Sequence, residues 1–152
     1  MLKKIFFIVL SLSLISNCEY RPVYSSQNYI DHKIIITNLT GDKDINNLIA
    51  ANLKRNSKDN SDEIINISFN TKYSKNVLAK NTTGAITDYQ TSVVTSFVII
   101  KKNNSENFKV SEKFNFQKID DKYEERNYEQ NIKRNLANSI SQKLILRLAM
   151  IK

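Results

Sequence analysis

Few side chains in this sequence could do covalent or acid–base chemistry. It holds a single cysteine, Cys18, and a single histidine, His32. Zinc ligation and Cys–His catalysis therefore lack ligands and partners. His32 stands beside Asp31 just ahead of a β-branched run, where a surface position is expected. Asp120-Asp121 and Glu124-Glu125 have the look of paired catalytic carboxylates. At the start of a helical pattern, however, they suit the cap and the helix dipole. No phosphate-binding glycine loop and no G-x-S-x-G elbow occurs. The expectation is a protein that is not an enzyme, with no metal and no cofactor. Cys18 remains, and in an exported chain a lone cysteine is a free thiol, an intermolecular bridge or a modified residue.

The residues around Cys18 bear on that choice. Lys3 and Lys4 precede an apolar run from Ile5 to Ile15, broken only by Ser11 and Ser13. The run is short of the ~20 residues of a transmembrane helix, and polar Ser16-Asn17 follow it directly, as in a cleaved signal peptide. A short anchor that stays uncut is the competing reading. Ile15-Ser16-Asn17-Cys18 resembles the lipobox of bacterial lipoproteins, with Asn17 in place of the preferred Gly, Ala or Ser. That resemblance implies a diacylglycerol on the Cys18 sulfur, cleavage before Cys18 and acylation of the new amine. Several acyl chains at ~0.8 kcal/mol per buried CH₂ anchor far better than one. Glu19 follows, not the Asp that retains many lipoproteins in the inner membrane, so the outer membrane is expected. The chain then divides into a signal peptide (1–17), a lipid-anchored tether (18–31) and one folded domain (32–152).

The net charge of +8 could signal an anionic partner. Removing Lys3 and Lys4 from the 23 basic residues leaves 21 against 15 acidic ones, or +6. A chain crowded with Lys, Asn and Ile carries such an excess through composition alone, and export argues against nucleic acid. Hydrophobic content of 41% and charged content of 25% are those of a globular domain.

Periodicity places the elements. Lys33-Ile34-Ile35-Ile36-Thr37 predicts a short strand buried on both faces. Thr40-Gly41-Asp42 marks a turn, and Ile45, Leu48, Ile49 and Leu53 recur at helical spacing up to Arg55, with Asp42 or Asp44 at the N-terminus. Ile65, Ile67, Phe69, Thr71 and Tyr73 alternate with Asn66, Ser68, Asn70 and Lys72, giving a strand with one buried face. Ser74 to Ala85 is expected to be its loop onward. A β-rich run follows from Ile86 to Lys102, apolar on both sides at its far end, as in a central strand. Phe108, Val110, Phe114 and Phe116 alternate in a fourth strand, where Glu112 suggests an edge or a carboxylate turned to solvent. The last element is a helix from about Lys122 to Ile151, capped by Asp121 with Glu124 three residues on. Its stripe of Tyr128, Ile132, Leu136, Ile140, Leu144 and Leu148 repeats every four residues and so drifts by ~40° per step around the helix. The order β-α-β-β-β-α implies an α/β two-layer sandwich, a mixed four-stranded sheet with two helices on one face.

Cys18-Glu19-Tyr20-Arg21-Pro22-Val23-Tyr24 resembles the "C-G-F-R-P-L-Y" opening of the LptE family, lipopolysaccharide-assembly lipoproteins, in their alphaproteobacterial form. Thr87-Asp88-Tyr89-Gln90-Thr91-Ser92-Val93 lies where that family has its central strand. Phe114-Asn115 and the later Asn135-Leu136-Ala137-Asn138-Ser139-Ile140 and Arg147-Leu148 resemble its "Y-N…L-A-x-x-I…R-L" ending. The resemblance implies a non-enzymatic outer-membrane lipoprotein that plugs the β-barrel translocon LptD, helps it assemble and assists delivery of lipopolysaccharide to the outer leaflet. Barrel lumens are polar, which suits the polar Asn66, Ser68 and Asn70 face. For lipopolysaccharide, Lys72, Lys75 and Lys80 are the candidate ligands, with ordinary solvated lysines as the competing reading. The alternative function is a periplasmic lipoprotein that binds a small apolar ligand or serves as adaptor in another envelope complex.

Overall fold

The computed structural model describes residues 30–151. Cys18, the signal segment and the tether up to residue 29 lie outside the described residues. The elements are β1 (Lys33–Gly41), α1 (Lys43–Arg55), β2 (Ile64–Lys80), β3 (Ile86–Lys101), β4 (Asn104–Gln117) and α2 (Lys122–Ala149). The strands form one mixed sheet in sequence order. Parallel β1 and β2 cannot be joined by a tight turn, so α1 makes the crossover, while β2–β3 and β3–β4 are antiparallel neighbours. The expected two-layer α/β sandwich is the fold found.

Alternation in the strands determines what the helices cover. Ile65, Ile67 and Phe69 of β2, Val93, Phe97 and Ile99 of β3, and Val110 and Phe116 of β4 are buried in one core. Ile45, Ile49 and Leu53 of α1 and Ile132, Leu136, Ile140, Leu144 and Leu148 of α2 close that core. Each such side chain, fully buried, contributes about 1.5–3 kcal/mol. Asn52 of α1 also donates to the Asn138 side-chain oxygen of α2, at 2.9 Å. Ile30, ahead of β1, is fully buried in the same core.

The helix starts follow their caps. Asp42 accepts from the Ile45 N–H and Asp121 from the Tyr123 and Glu124 N–H groups, each satisfying orphan donors of a first turn. Gly41 ends β1 at φ +93°, a left-handed conformation that glycine adopts at least cost. A side chain there would collide with the Thr71 backbone carbonyl, which accepts the Asp42 N–H at 2.8 Å.

Three sequence expectations are corrected. β1 is an edge strand, and Ile35 is 38% exposed although Ile34 is buried, so β1 is not covered on both faces. β2 does not stop at Ser74 but pairs with β3 as far as Lys80, and only residues 81–85 turn the chain. Ser, Lys and Asn at 74–76 looked like loop, but paired strands need only backbone hydrogen bonds and one covered face. His32 is buried instead of lying at the surface. Of the two readings that Glu112 offered, the edge strand is the one found, and the carboxylate lies on the helix-facing side of β4, bonded to Lys143 and Ser139 of α2. The expected edge position of β4, the central position of β3 and the bounds of α1 hold.

Candidate functional site

The extra length of β2 carries its alternation past Tyr73 to Lys75, both on the helix side of the sheet. There the N-terminal half of α2 crosses the hairpin. Lys75 Nζ donates to Glu125 Oε1 at 2.7 Å and to Glu129 Oε2 at 3.0 Å, and Tyr73 donates to Glu129 Oε1 at 2.7 Å. The same ammonium lies 4.4 Å from the Tyr89 ring centroid and 5.3 Å from that of Phe116, in cation–π range. Burial works against the charge on Lys75, but the hydrogen bonds and charges of Glu125 and Glu129 outweigh it and raise its pKa. The Lys75 hydrogen bond in turn holds Glu125 below the usual carboxylate range, against burial and with help from Lys122. Burial first, then Glu129, pushes the Tyr73 phenol upward.

Around this cluster lies an open groove of about 670 Å³ lined by Lys75, Val77, Tyr89, Lys122, Glu125, Arg126 and Glu129. Five of its seven lining residues are charged, but their aliphatic stems, with Val77 and Tyr89, make more of the exposed wall apolar than polar. Lys75 cannot act as a free base or nucleophile, because two carboxylates hold it as an ammonium.

A second cluster occupies the other end of the sheet. Glu63 meets Lys101 at 2.9 Å and Lys102 at 3.4 Å, and Lys101 above all lowers its pKa to about 2. His32 Nε2 lies 2.7 Å from Lys101 Nζ and 2.8 Å from Glu63 Oε2, and its buried Nδ1 has no partner among the described residues. The tautomer decides which Nε2 contact is the hydrogen bond, since a protonated Nε2 donates to Glu63 and a bare one accepts from Lys101. Among the described residues, no three His, Cys, Asp or Glu side chains gather in a way that could hold a metal.

The three candidate lipopolysaccharide lysines are not brought together. Lys75 is tied to α2, Lys72 is exposed on the opposite face of the same strand, and Lys80 ends β2 at the turn. Sequence reasoning missed Glu125 and Glu129 as partners of Lys75, since their contact spans 50 and 54 positions in the chain. The signal available was the alternation, which continues unbroken from Ile65 to Lys75.

The second surface is the face of the sheet that no helix covers. It presents Asn66, Ser68, Asn70, Lys72 and Ser74 from β2, Ser92, Val94, Ser96 and Val98 from β3, and Lys109, Ser111, Lys113 and Asn115 from β4, together with exposed Ile35, Ile64 and Ile100 at the end away from the β2–β3 turn. Ser74 and Ser92 hydroxyls meet across strands at 3.1 Å, and Gln90 donates to Asn115 at 3.0 Å. Among the described residues, no helix is long and apolar enough to cross a membrane.

No family model matches this sequence, and no curated protein matches it. Solved structures do. The chain is similar to the rare lipoprotein B from Shewanella oneidensis at 14% identity and a TM-score of 0.52, over 71% of this chain and 93% of that one. It is also similar to a putative lipoprotein from Caulobacter crescentus CB15, at 10% identity and a TM-score of 0.51, over 80% of this chain and 90% of that one. At such identities the likeness is one of fold.

Proposed function

We propose that this chain is a non-enzymatic outer-membrane lipoprotein, anchored through Cys18, that sits as a plug in the lumen of an LptD-like β-barrel. In that place it helps the barrel assemble and serves the delivery of lipopolysaccharide to the outer leaflet. The observation that carries the reading is the open sheet face. A four-stranded sheet with helices on one side leaves its other side to solvent or to a partner. Here that side carries Asn, Ser and Lys over most of its length, with Val94 and Val98 among them and exposed Ile35, Ile64 and Ile100 at the end away from the β2–β3 turn. A barrel lumen is polar, so its plug needs such a surface together with a normal core of its own. Two lipoproteins of the same fold agree with the lipobox-like segment at Cys18.

The alternative, a carrier for a small apolar ligand, needs an enclosed apolar cavity. The groove beside Lys75 is open instead of enclosed, so it cannot bury most of a lipid chain. The test is affinity isolation of the tagged full chain from membranes in mild detergent. Recovery of a large outer-membrane protein whose gel mobility changes on heating, as β-barrels do, is expected. Its absence would sink the plug reading.

A further inference from the structure

The charges of this domain are sorted between the two faces of its sheet. On the helix side nearly every acid is engaged. Glu112 pairs with Lys143, Glu106 with Arg147, Glu125 and Glu129 with Lys75, and Asp42 with Lys133. On the open side, alternation leaves Lys33, Lys72, Lys109 and Lys113, and the single strand carboxylate there is Asp88, at the hairpin end. Among the described residues, Lys72, Lys109 and Lys113 have no carboxylate partner, and all three are exposed.

We infer that the open sheet face docks a protein surface carrying several separate carboxylates, recognised by Lys72, Lys109 and Lys113. This deepens the plug reading and rests on it for the identity of the partner. Register fixes the spacing. Lys72 pairs with Val94, which pairs with Ser111, while Lys109 and Lys113 flank Ser111 on β4. Lys72 is thus two strands, or ~10 Å, from β4, and the two β4 lysines are four residues, or ~13 Å, apart. Side chains standing off a sheet at such intervals do not converge on one phosphate; they match carboxylates spread along a surface. Between them lie Val94 at the centre and Ser92, Ser96, Ser111 and Asn70 around it, short side chains that keep the face flat, most of them offering hydrogen bonds. A flat face that combines lysines and hydrogen-bonding side chains with a smaller apolar area at Val98, Ile100 and Ile35 fits another polypeptide better than an acyl chain.

The test compares lysine acetylation in intact envelopes with that of the purified full chain, using Lys54 on α1 as the internal reference. Lys72, Lys109 and Lys113 are expected to react about tenfold more slowly in envelopes, as for groups taken into an interface. Carbodiimide coupling should join them by amide bonds to Asp or Glu of a partner protein. The variant K72E/K109E/K113E, with its melting transition unchanged, should lose those links. Equal reactivity in both states overturns the inference. So does protection reproduced by phosphatidylglycerol vesicles on the purified chain without protein crosslinks. If a β-barrel co-purifies while the three lysines stay reactive, the plug reading stands and this inference falls. Links to carboxylates of a protein that is not a barrel leave the inference standing and remove the plug.

Discussion

Lys75 of β2 and Glu125 of α2 meet at 2.7 Å, with the Glu125 side chain 9% exposed and that of Lys75 22% exposed. The contact joins the far end of the β2–β3 hairpin to the first turns of α2. It also explains how a strand can continue past Tyr73 through a Lys- and Asn-rich stretch, because its inward residue is charged but paired. Replacing Lys75 with Met keeps the aliphatic stem over Tyr89 and removes the charge. Glu125 then loses its main partner where water reaches it poorly. A loss of about 1–3 kcal/mol is expected in chemical denaturation, at the lower end if Glu129 and Lys122 adjust.

The same pair implies a pH dependence whose sign is fixed. The pKa of Glu125 is lowered in the folded chain, so its contribution is present above the ordinary glutamate value and fades as pH falls through the lowered one. The pKa of Lys75 is raised, so its contribution is present below the ordinary lysine value and fades as pH rises through the raised one. Denaturation midpoints of the wild type and Lys75→Met should therefore differ most near neutral pH and converge in acid.

Gly41→Ala is expected to destabilise by about 3 kcal/mol, since the left-handed backbone and the Thr71 carbonyl both oppose a Cβ. Calorimetry checks it, with Gly84→Ala as the control. Gly84 also has positive φ but open space around it, so the cost there is about 1 kcal/mol.

Leu148→Ala and Leu146→Ala separate the two sides of the end of α2. Leu148 is fully buried and should cost about 2–5 kcal/mol, while Leu146, 48% exposed, should stay within about 0.5 kcal/mol.

Cys18→Ser should abolish the lipid label and remove the chain from the outer membrane, leaving a longer, uncut form whose apolar run Ile5 to Ile15 stays attached. Fractionation after metabolic labelling with a palmitate analogue reads both the lipid and the location.

Much of the fold was legible because it depends on local periodicity. The alternation Ile65, Ile67, Phe69 gave the covered face of β2, and Asp42 and Asp121 marked the two helix starts, as their bonds to backbone N–H groups show. Less legible was what depends on distant partners. Ser74 to Asn76 are polar and the apolar Val77-Leu78-Ala79 breaks the alternation, yet β3 pairs with the segment as far as Lys80, with irregularities around Ala79. His32 reads as polar and is buried because Glu63 and Lys101, 31 and 69 positions away in the chain, converge on it. Ile35 reads as core and is exposed because it shares the uncovered face of the sheet with Asn66, while its neighbour Ile34 faces the helices. The candidate lysines were chosen as neighbours in sequence. Alternation puts Lys72 and Lys75 on opposite faces, and the lysines that share a face with Lys72 come from β1 and β4.

The central claim is that the open face of the sheet lies against the inside of an outer-membrane barrel. Its most direct measurement places a photo-reactive amino acid at Asn70 in the full-length chain in growing cells, with a second at Ser96. Adducts with a single outer-membrane protein whose gel mobility changes on heating are predicted from both positions. Adducts with periplasmic soluble proteins alone, or none at either position while the protein is stably anchored, would contradict the account.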